Sequence, residues 1–282
     1  MKARIIKIVS NQYTVVTAEN ERFLCVAMGK VRLQKTPVVG DFVEFENYQD
    51  KYAIEKIEER KNSMVRPAIA NVDQAILVMS CKDPEFSTVL VDRLLFLIQM
   101  AKIHPILCVT KMDLIEANDP IYEQIEDYRK SGYQVLSCGK ENLDEELAKV
   151  LKGKITVLTG QSGVGKSTLL NTLDPKFELR TQETSKALGR GKHTTRHSEL
   201  HEVAMGWVAD TPGFSSLDFS QFTPEYLAES ILEFKPYIGK CKFRDCIHQN
   251  EPGCAIKDAV EKNIVSKTRY EHYLQCIALM KK

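Results

Sequence analysis

Hydrophobic positions change rhythm twice along the chain. Up to about residue 60 they come in short runs rich in β-branched and aromatic residues, at Ile5–Val9, Tyr13–Thr17, Phe23–Ala27, Phe42–Phe45 and Ala53–Ile57. Polar or glycine-containing stretches separate them and no stripe of helical period intervenes, so each run predicts a strand. Five short strands predict a small OB-like β-barrel; an SH3-like barrel would carry the same pattern. The rhythm then shifts. Apolar runs at Ala75–Ser80, Pro105–Val109, Gln134–Leu136, Ile155–Thr159 and Trp207–Ala209 are bounded by loops. Between them Val89–Ala101, and more weakly Ile121–Lys130, repeat apolar residues at intervals of three and four, as helices do. Strands alternating with helices predict a parallel sheet with helices on both faces. After Asp218, helical patterns at Pro224–Leu232 and Val265–Met280 flank a cysteine-rich segment. The pattern therefore predicts a multidomain α/β protein in three parts, 1–66, 67–218 and 219–282.

Composition excludes several classes. The 282 residues are 43% hydrophobic and 27% charged, which is neither disordered nor low-complexity. A net charge of +1 lacks the overall basicity of many nucleic-acid binders. The charge is uneven, however: 12 basic and 9 acidic side chains in 1–66, 17 and 21 in 67–218, 10 and 8 in 219–282. The ends are mildly basic and the middle mildly acidic. No apolar run approaches the roughly 18–20 residues of a membrane span. Lys7, Ser10, Asn11 and Gln12 interrupt the N-terminal stretch, so it does not read as a signal peptide, and a cytoplasmic location away from membranes is expected. Of eight cysteines, Cys241, Cys246 and Cys254 fall within 14 residues. Scattered cysteines with one cluster suit a reduced protein with one metal site better than a disulfide framework.

The segment Gly160-Gln161-Ser162-Gly163-Val164-Gly165-Lys166-Ser167 matches a phosphate-binding loop. It follows the apolar run Ile155–Thr159 and leads into a predicted helix, Ser167–Leu173, the context the motif requires. A loop that wraps phosphates with its own N–H groups needs glycines so that the backbone can approach closely. The helix N-terminus adds partial positive charge. Lys166 is placed to reach the β- and γ-phosphates and the Ser167 hydroxyl to bind Mg²⁺; Thr168 completes the nucleotide-binding set on this loop.

Two further segments bear on which nucleotide binds. Thr110-Lys111-Met112-Asp113 follows a predicted strand, and an Asp carboxylate accepting two N–H bonds from guanine would discriminate against adenine. Ser137-Cys138-Gly139, after Gln134–Leu136, can supply a loop closing over the base. Asp210-Thr-Pro-Gly213 follows the run ending at Ala209. Asp210 can hold Mg²⁺ through water, and the Gly213 N–H can sense the γ-phosphate. These segments resemble the five sequence elements of small GTP-binding proteins in a shifted order, since Thr110–Asp113 precedes the phosphate loop. The resemblance is to circularly permuted GTPases, with Thr110 where Asn is usual. Some loss of loop rigidity, with guanine preference retained, is the expected consequence.

Between Arg180 and His197 lie five basic side chains, two histidines and one acid. Gly189-Arg-Gly-Lys-His193-Thr194-Thr195-Arg occupies the place of the first switch, where a threonine hydroxyl completes the Mg²⁺ shell; Thr195 is the first candidate and Thr194 the second. Phe214 stands where many GTPases carry a water-orienting glutamine. Hydrolysis is then either slow alone or served by another group, for which His193 is the local candidate.

Cys241-x4-Cys246-x-His248-x5-Cys254 supplies three thiolates and one imidazole, a structural zinc set with no position left for water. Lys240, Lys242 and Arg244 interleave with Phe243, a mixture suited to RNA backbone contact and base stacking; a solvated rim reads the same locally.

Barrel, permuted GTPase and zinc element together resemble the bacterial ribosome small subunit-dependent GTPase A (RsgA) family over nearly the whole chain. The resemblance implies a late factor in small ribosomal subunit maturation, a monomer that hydrolyses GTP to GDP, binds the subunit and its rRNA through both end domains, and turns over slowly until the subunit stimulates it. Zn²⁺ and Mg²⁺ are the implied cofactors. A GTPase acting on another structured RNA, and a P-loop RNA-binding adaptor with little turnover, are the alternatives, alongside a P-loop ATPase or kinase that Asp113 disfavours.

Overall fold

The computed structural model describes residues 1–29, 31, 35–48, 51–64, 68–138, 143–175, 177, 199–209, 219–220 and 222–280. The chain gathers into two compact units. One comprises Met1–Gln74, Asp144–Leu158 and Lys166–Gly213; the other comprises Ala75–Leu143, Thr159–Gly165 and Phe214–Lys282.

The first unit begins with β1 (Lys2–Val9), β2 (Gln12–Val16), β3 (Arg22–Ala27), β4 (Phe42–Tyr48) and β5 (Lys51–Ile57). They close a barrel in the order β1–β2–β3–β5–β4, with β3 and β5 parallel and β4 closing on β1. This Greek-key order is that of an OB-fold, the question the residue pattern left open. Closure needs bent strands, and two register shifts supply the bends, at Ile5/Lys7 and at Glu44/Phe45. At the first, consecutive side chains Ile5 and Ile6 are both buried. Phe23, Phe45 and Tyr52 pack edge-on inside, with ring centroids 4.8–5.8 Å apart. Beyond β5, Asp41 is fully buried and takes Arg60 in a two-point pair, Nε–Oδ1 2.6 Å and Nη2–Oδ2 2.7 Å. A short ribbon follows, β6 (Ser63–Met64) and β7 (Ile69–Ala70).

Then come β8 (Gln74–Ser80), α1 (Thr88–Met100), β9 (His104–Thr110), α2 (Ile121–Lys130), β10 (Gln134–Ser137), α3 (Leu143–Leu151), β11 (Ile155–Thr159), α4 (Lys166–Leu173), β12 (Leu200–Val203) and β13 (Gly206–Ala209). The strands order as β10–β9–β8–β11–β13–β12. β9 with β10 and β11 with β13 pair parallel, as the alternation predicts. The sheet is mixed, because β12 runs antiparallel to β13 across the two-residue turn Ala204–Met205. Four-residue strands joined so tightly can only return antiparallel. β8 and β11 are buried at every position, which is why they read as unbroken apolar runs.

The C-terminal elements are α5 (Pro224–Ser230), α6 (Ala255–Glu261) and α7 (Lys267–Met280). Thr223 caps α5 with its hydroxyl and Pro224 opens the first turn. A core of Phe96, Leu97 and Met100 from α1 with Leu227, Ile231, Phe234, Tyr273 and Ile277 joins α1 to these helices. α1 is apolar nearly all round because it is buried so widely. Its one buried acid, Asp92, meets Arg269 of α7, Nε–Oδ1 3.1 Å. Arg269 also donates to Glu233 (2.7 Å), Asp127 (2.9 Å) and Ser131 (2.7 Å), and its guanidinium lies 4.4 Å from the Tyr128 ring centre. Burial alone would lower Arg269, but Asp92 and Glu233 raise it well above its ordinary value. Among the described residues no helix is long and apolar enough to cross a membrane.

Candidate nucleotide site and metal centre

The loop between β11 and α4 has the backbone that its glycines allow. Gly160, Gly163 and Gly165 have φ of +140°, +80° and +92°, a region costly for other residues. At Gly160 a Cβ would stand 2.1 Å from the Val78 carbonyl oxygen, so only glycine lets the loop pass β8. Val164 is buried and anchors the loop, while Gln161, Ser162 and Gly163 face solvent. Lys166 opens α4 half-buried, and burial lowers its pKa. Ser167 and Thr168 are exposed at the same helix start.

Thr110 ends β9 and is buried at 5% exposure. Its hydroxyl lies 2.6 Å from the Val164 carbonyl and 3.2 Å from that of Met79. One proton cannot serve both fully, so the shorter contact is the principal bond. The guanine-type segment is thereby tied to the phosphate loop. A threonine in the place of the usual asparagine thus keeps one side-chain hydrogen bond to the loop. Lys111 adopts the left-handed conformation (φ 60°, ψ 30°) and its ammonium donates to the Asp83 carbonyl. Met112 and Asp113 lie in the 3₁₀ turn Met112–Leu114, with Asp113 exposed. The Cys81 thiol donates to the Lys111 carbonyl at 2.8 Å. Ser137 accepts from Arg129 at 3.1 Å, and the Cys138 N–H donates to the Val109 carbonyl at 2.8 Å. Thr110–Asp113, Ser137–Cys138 and Thr159–Gly165 thus fall in one compact unit. His193, Thr194, Thr195, Asp210, Gly213 and Phe214 lie outside the described residues, as does Gly139.

The four metal candidates come together. Their donor atoms all lie within 4.8 Å of one another. His248 Nδ1 is 3.5, 3.3 and 3.4 Å from the sulfurs of Cys241, Cys246 and Cys254, and Cys241 Sγ is 4.0 Å from Cys254 Sγ. A tetrahedral zinc with ordinary bond lengths would set S···N at about 3.6 Å and S···S at about 3.8 Å, so the set fits zinc. Burial pushes the Cys246 thiol up to about 12 and lowers His248. Neutral imidazole is the ligating form, and a cation would reverse the thiol shift. Backbone N–H groups of Ala255 and Lys257 donate to Cys241 and Cys254 sulfurs at 3.4 and 3.5 Å, the outer support such sites use. Glu251 braces the loop by accepting from Ile247, Gln249 and Asn250. Burial alone would raise Glu251; those N–H bonds outweigh it and hold it low. Tyr270 and Tyr273 of α7 donate to the carbonyls of His248 and Ile247.

The residue pattern missed Arg269 and its partners. A lone Arg within a helical stripe carries no signal of burial, and its acids are 36 to 177 residues away in sequence.

An OB barrel, a phosphate loop preceded by its guanine-type segment, and a Cys₃His cluster define a circularly permuted P-loop GTPase with accessory domains. The family model described as the RsgA N-terminal domain matches residues 2–54, and the one described as RsgA GTPase matches residues 57–220. A relative from Oceanobacillus iheyensis, named small ribosomal subunit biogenesis GTPase RsgA 2, is 49% identical across 97% of this chain and 95% of its own. One from Bacillus subtilis, named small ribosomal subunit biogenesis GTPase RsgA, is 45% identical across 99% and 97%. Among solved structures, YloQ, titled a circularly permuted GTPase, superposes with TM-score 0.84 at 39% identity, covering 99% of this chain and 94% of that one. YjeQ from Thermotoga maritima gives 0.83 at 36%, covering 99% and 98%. The chain belongs to the RsgA GTPase family.

Proposed function

We propose that this protein is a GTP-hydrolysing switch in small ribosomal subunit biogenesis, acting as a cytoplasmic monomer on the subunit and its rRNA. The observation that carries the reading is whole-length similarity to relatives so named, joined to a phosphate loop held by the guanine-type segment. In this reading the N–H groups of Gly160–Gly165 cradle the phosphates, Lys166 neutralises β- and γ-oxygens, and the Gly213 N–H reports the γ-phosphate. Asp113 accepts the guanine N–H pair, and Ser137–Cys138 close over the base. Ser167, Thr195 and Asp210 would hold Mg²⁺, which neutralises phosphate charge when bound; the exposed Ser167 hydroxyl at the start of α4 suits that task. His193 orients the attacking water that Phe214 cannot. Cys241, Cys246, His248 and Cys254 would hold a structural zinc. The modules are 1–66, 67–218 and 219–282, the outer two meeting rRNA. The barrel's exposed Leu24, Phe42 and Tyr48, with the Arg4 guanidinium 4.6 Å from the Phe42 ring centre, suit that contact. Lys242 over Phe243 suits it at the other end.

The test is GTP hydrolysis by the purified protein with small subunits, with large subunits, and alone. Stimulation by small subunits only is expected. Equal or absent stimulation would overturn the ribosomal assignment and leave an intrinsic GTPase.

A further inference from the structure

Two thiols meet at the foot of the guanine-type segments. Cys108 lies in β9, two residues before Thr110, and pairs in register with Leu136 of β10. Cys138 follows β10 directly. The two sulfurs are 3.8 Å apart. Their surroundings differ: Cys108 is fully buried, whereas Cys138 is partly exposed. The hydrogen bond between them favours the thiolate at Cys138, lowering it, and opposes it at Cys108, raising it. An accessible, activated thiol beside a buried resolving thiol is the arrangement of a redox-responsive pair.

We propose that Cys108 and Cys138 form a reversible dithiol–disulfide site whose oxidant is a low-molecular-weight disulfide, and whose closure weakens guanine-nucleotide binding. The chemistry stands on the geometry; only its effect on the nucleotide rests on the function proposed above. The Cys138 thiolate attacks one sulfur of the oxidant, forming a mixed disulfide and releasing one small thiolate. Cys108, losing its proton, then attacks the Cys138 sulfur and displaces the second. Two protein S–H bonds are lost and one S–S bond forms. The oxidant's S–S bond is reduced, and its two thiols carry away both protons. The sulfurs must close from 3.8 Å to about 2.05 Å. That draws the end of β10, where the base-closing loop starts, towards β9, displacing the Cys138 N–H from the Val109 carbonyl and Ser137 with it.

The experiment treats the full-length, metal-loaded protein with oxidised glutathione, blocks remaining thiols, and maps bridges by non-reducing peptide mass spectrometry. Fluorescent GDP is titrated before oxidation, after it, and after re-reduction. The expected result is a Cys108–Cys138 peptide and about tenfold weaker GDP binding, both reversed by reductant. The bridge should be absent in Cys108→Ala and in Cys138→Ala. It should persist in Cys81→Ser, whose thiol is engaged elsewhere by the Lys111 carbonyl. Glutathione retained on Cys138 without a bridge, a bridge through Cys81, or a bridge that leaves GDP affinity unchanged would each overturn the proposal. Failure of the untreated protein to bind GDP would instead overturn the guanine reading, and the bridge would still be read independently.

Discussion

A single hydroxyl holds two loops together at Thr110. Removing it strands the Val164 carbonyl in a buried setting, which costs about 1–3 kcal/mol. Thr110→Ala is expected to weaken fluorescent-GDP binding by about tenfold or more, whereas Thr110→Ser, which keeps the donor, should stay within about threefold of the parent. His193 carries a different kind of prediction. If it orients the attacking water, His193→Ala should slow single-turnover hydrolysis by about 10²-fold while leaving GDP affinity intact; unchanged turnover would remove it from the mechanism. At Gly160 the outcome is set by space. Gly160→Ala drives a Cβ to 2.1 Å from the Val78 carbonyl oxygen, so nucleotide binding should be lost altogether. These three positions differ in legibility. The glycines announce a phosphate loop because its backbone runs through positive φ, a region costly for other residues. The hydroxyl's partner is invisible beforehand, since the Val164 carbonyl lies 54 residues away in sequence.

At the scale of elements, α7 is held by two devices that behave differently. One is the Arg269 cluster. Arg269→Met leaves buried Glu233 without its cation and Asp92 with only His272 and the Tyr128 hydroxyl as partners, and breaking such a set costs about 3–5 kcal/mol. A fall of that size in urea-unfolding stability is expected, with the loss read by circular dichroism. The other is the Cys₃His loop, to which α7 is joined by Tyr270 and Tyr273. Chelation, or Cys254→Ser, should release about one zinc per chain by elemental analysis. Amide exchange should then rise across 241–254 and the start of α7. Acid should act in the same direction. Folding lowers the His248 pKa, so the unfolded chain binds that proton more readily and stability falls as pH drops through about 6.5. Proton competition for the thiolates adds to the loss when metal is bound. The Cys₃His cluster itself was legible from spacing, because three cysteines and a histidine within 14 residues have few other uses. The Arg269 cluster was not, because charge pairing over long separations leaves no periodic trace.

For the whole molecule, charge decides how partners are met. Net charge is only +1, yet the two ends carry modest basic excesses. If those ends meet rRNA, raising salt from about 50 to 200 mM should sharply reduce the subunit-stimulated component of hydrolysis. The unstimulated component should barely change. A stimulated rate insensitive to salt would argue against backbone-phosphate contact. Packing sets a second expectation. α1 shares one hydrophobic core with α5, α6 and α7, so these elements should gain or lose exchange protection together when GTP replaces GDP.

The order of chemistry along the chain was determined by sequence alone. Backbone-limited glycines, alternating strand runs, unbroken buried runs and clustered cysteines are local requirements, and local requirements are written in adjacent residues. Only the tertiary structure decided the rest: the OB strand order, the tie from Thr110 to the phosphate loop, the buried Arg269 set and the meeting of Cys108 with Cys138. Each depends on which distant segments pack together. Burial and proximity are properties of that packing, and no short stretch of residues contains them.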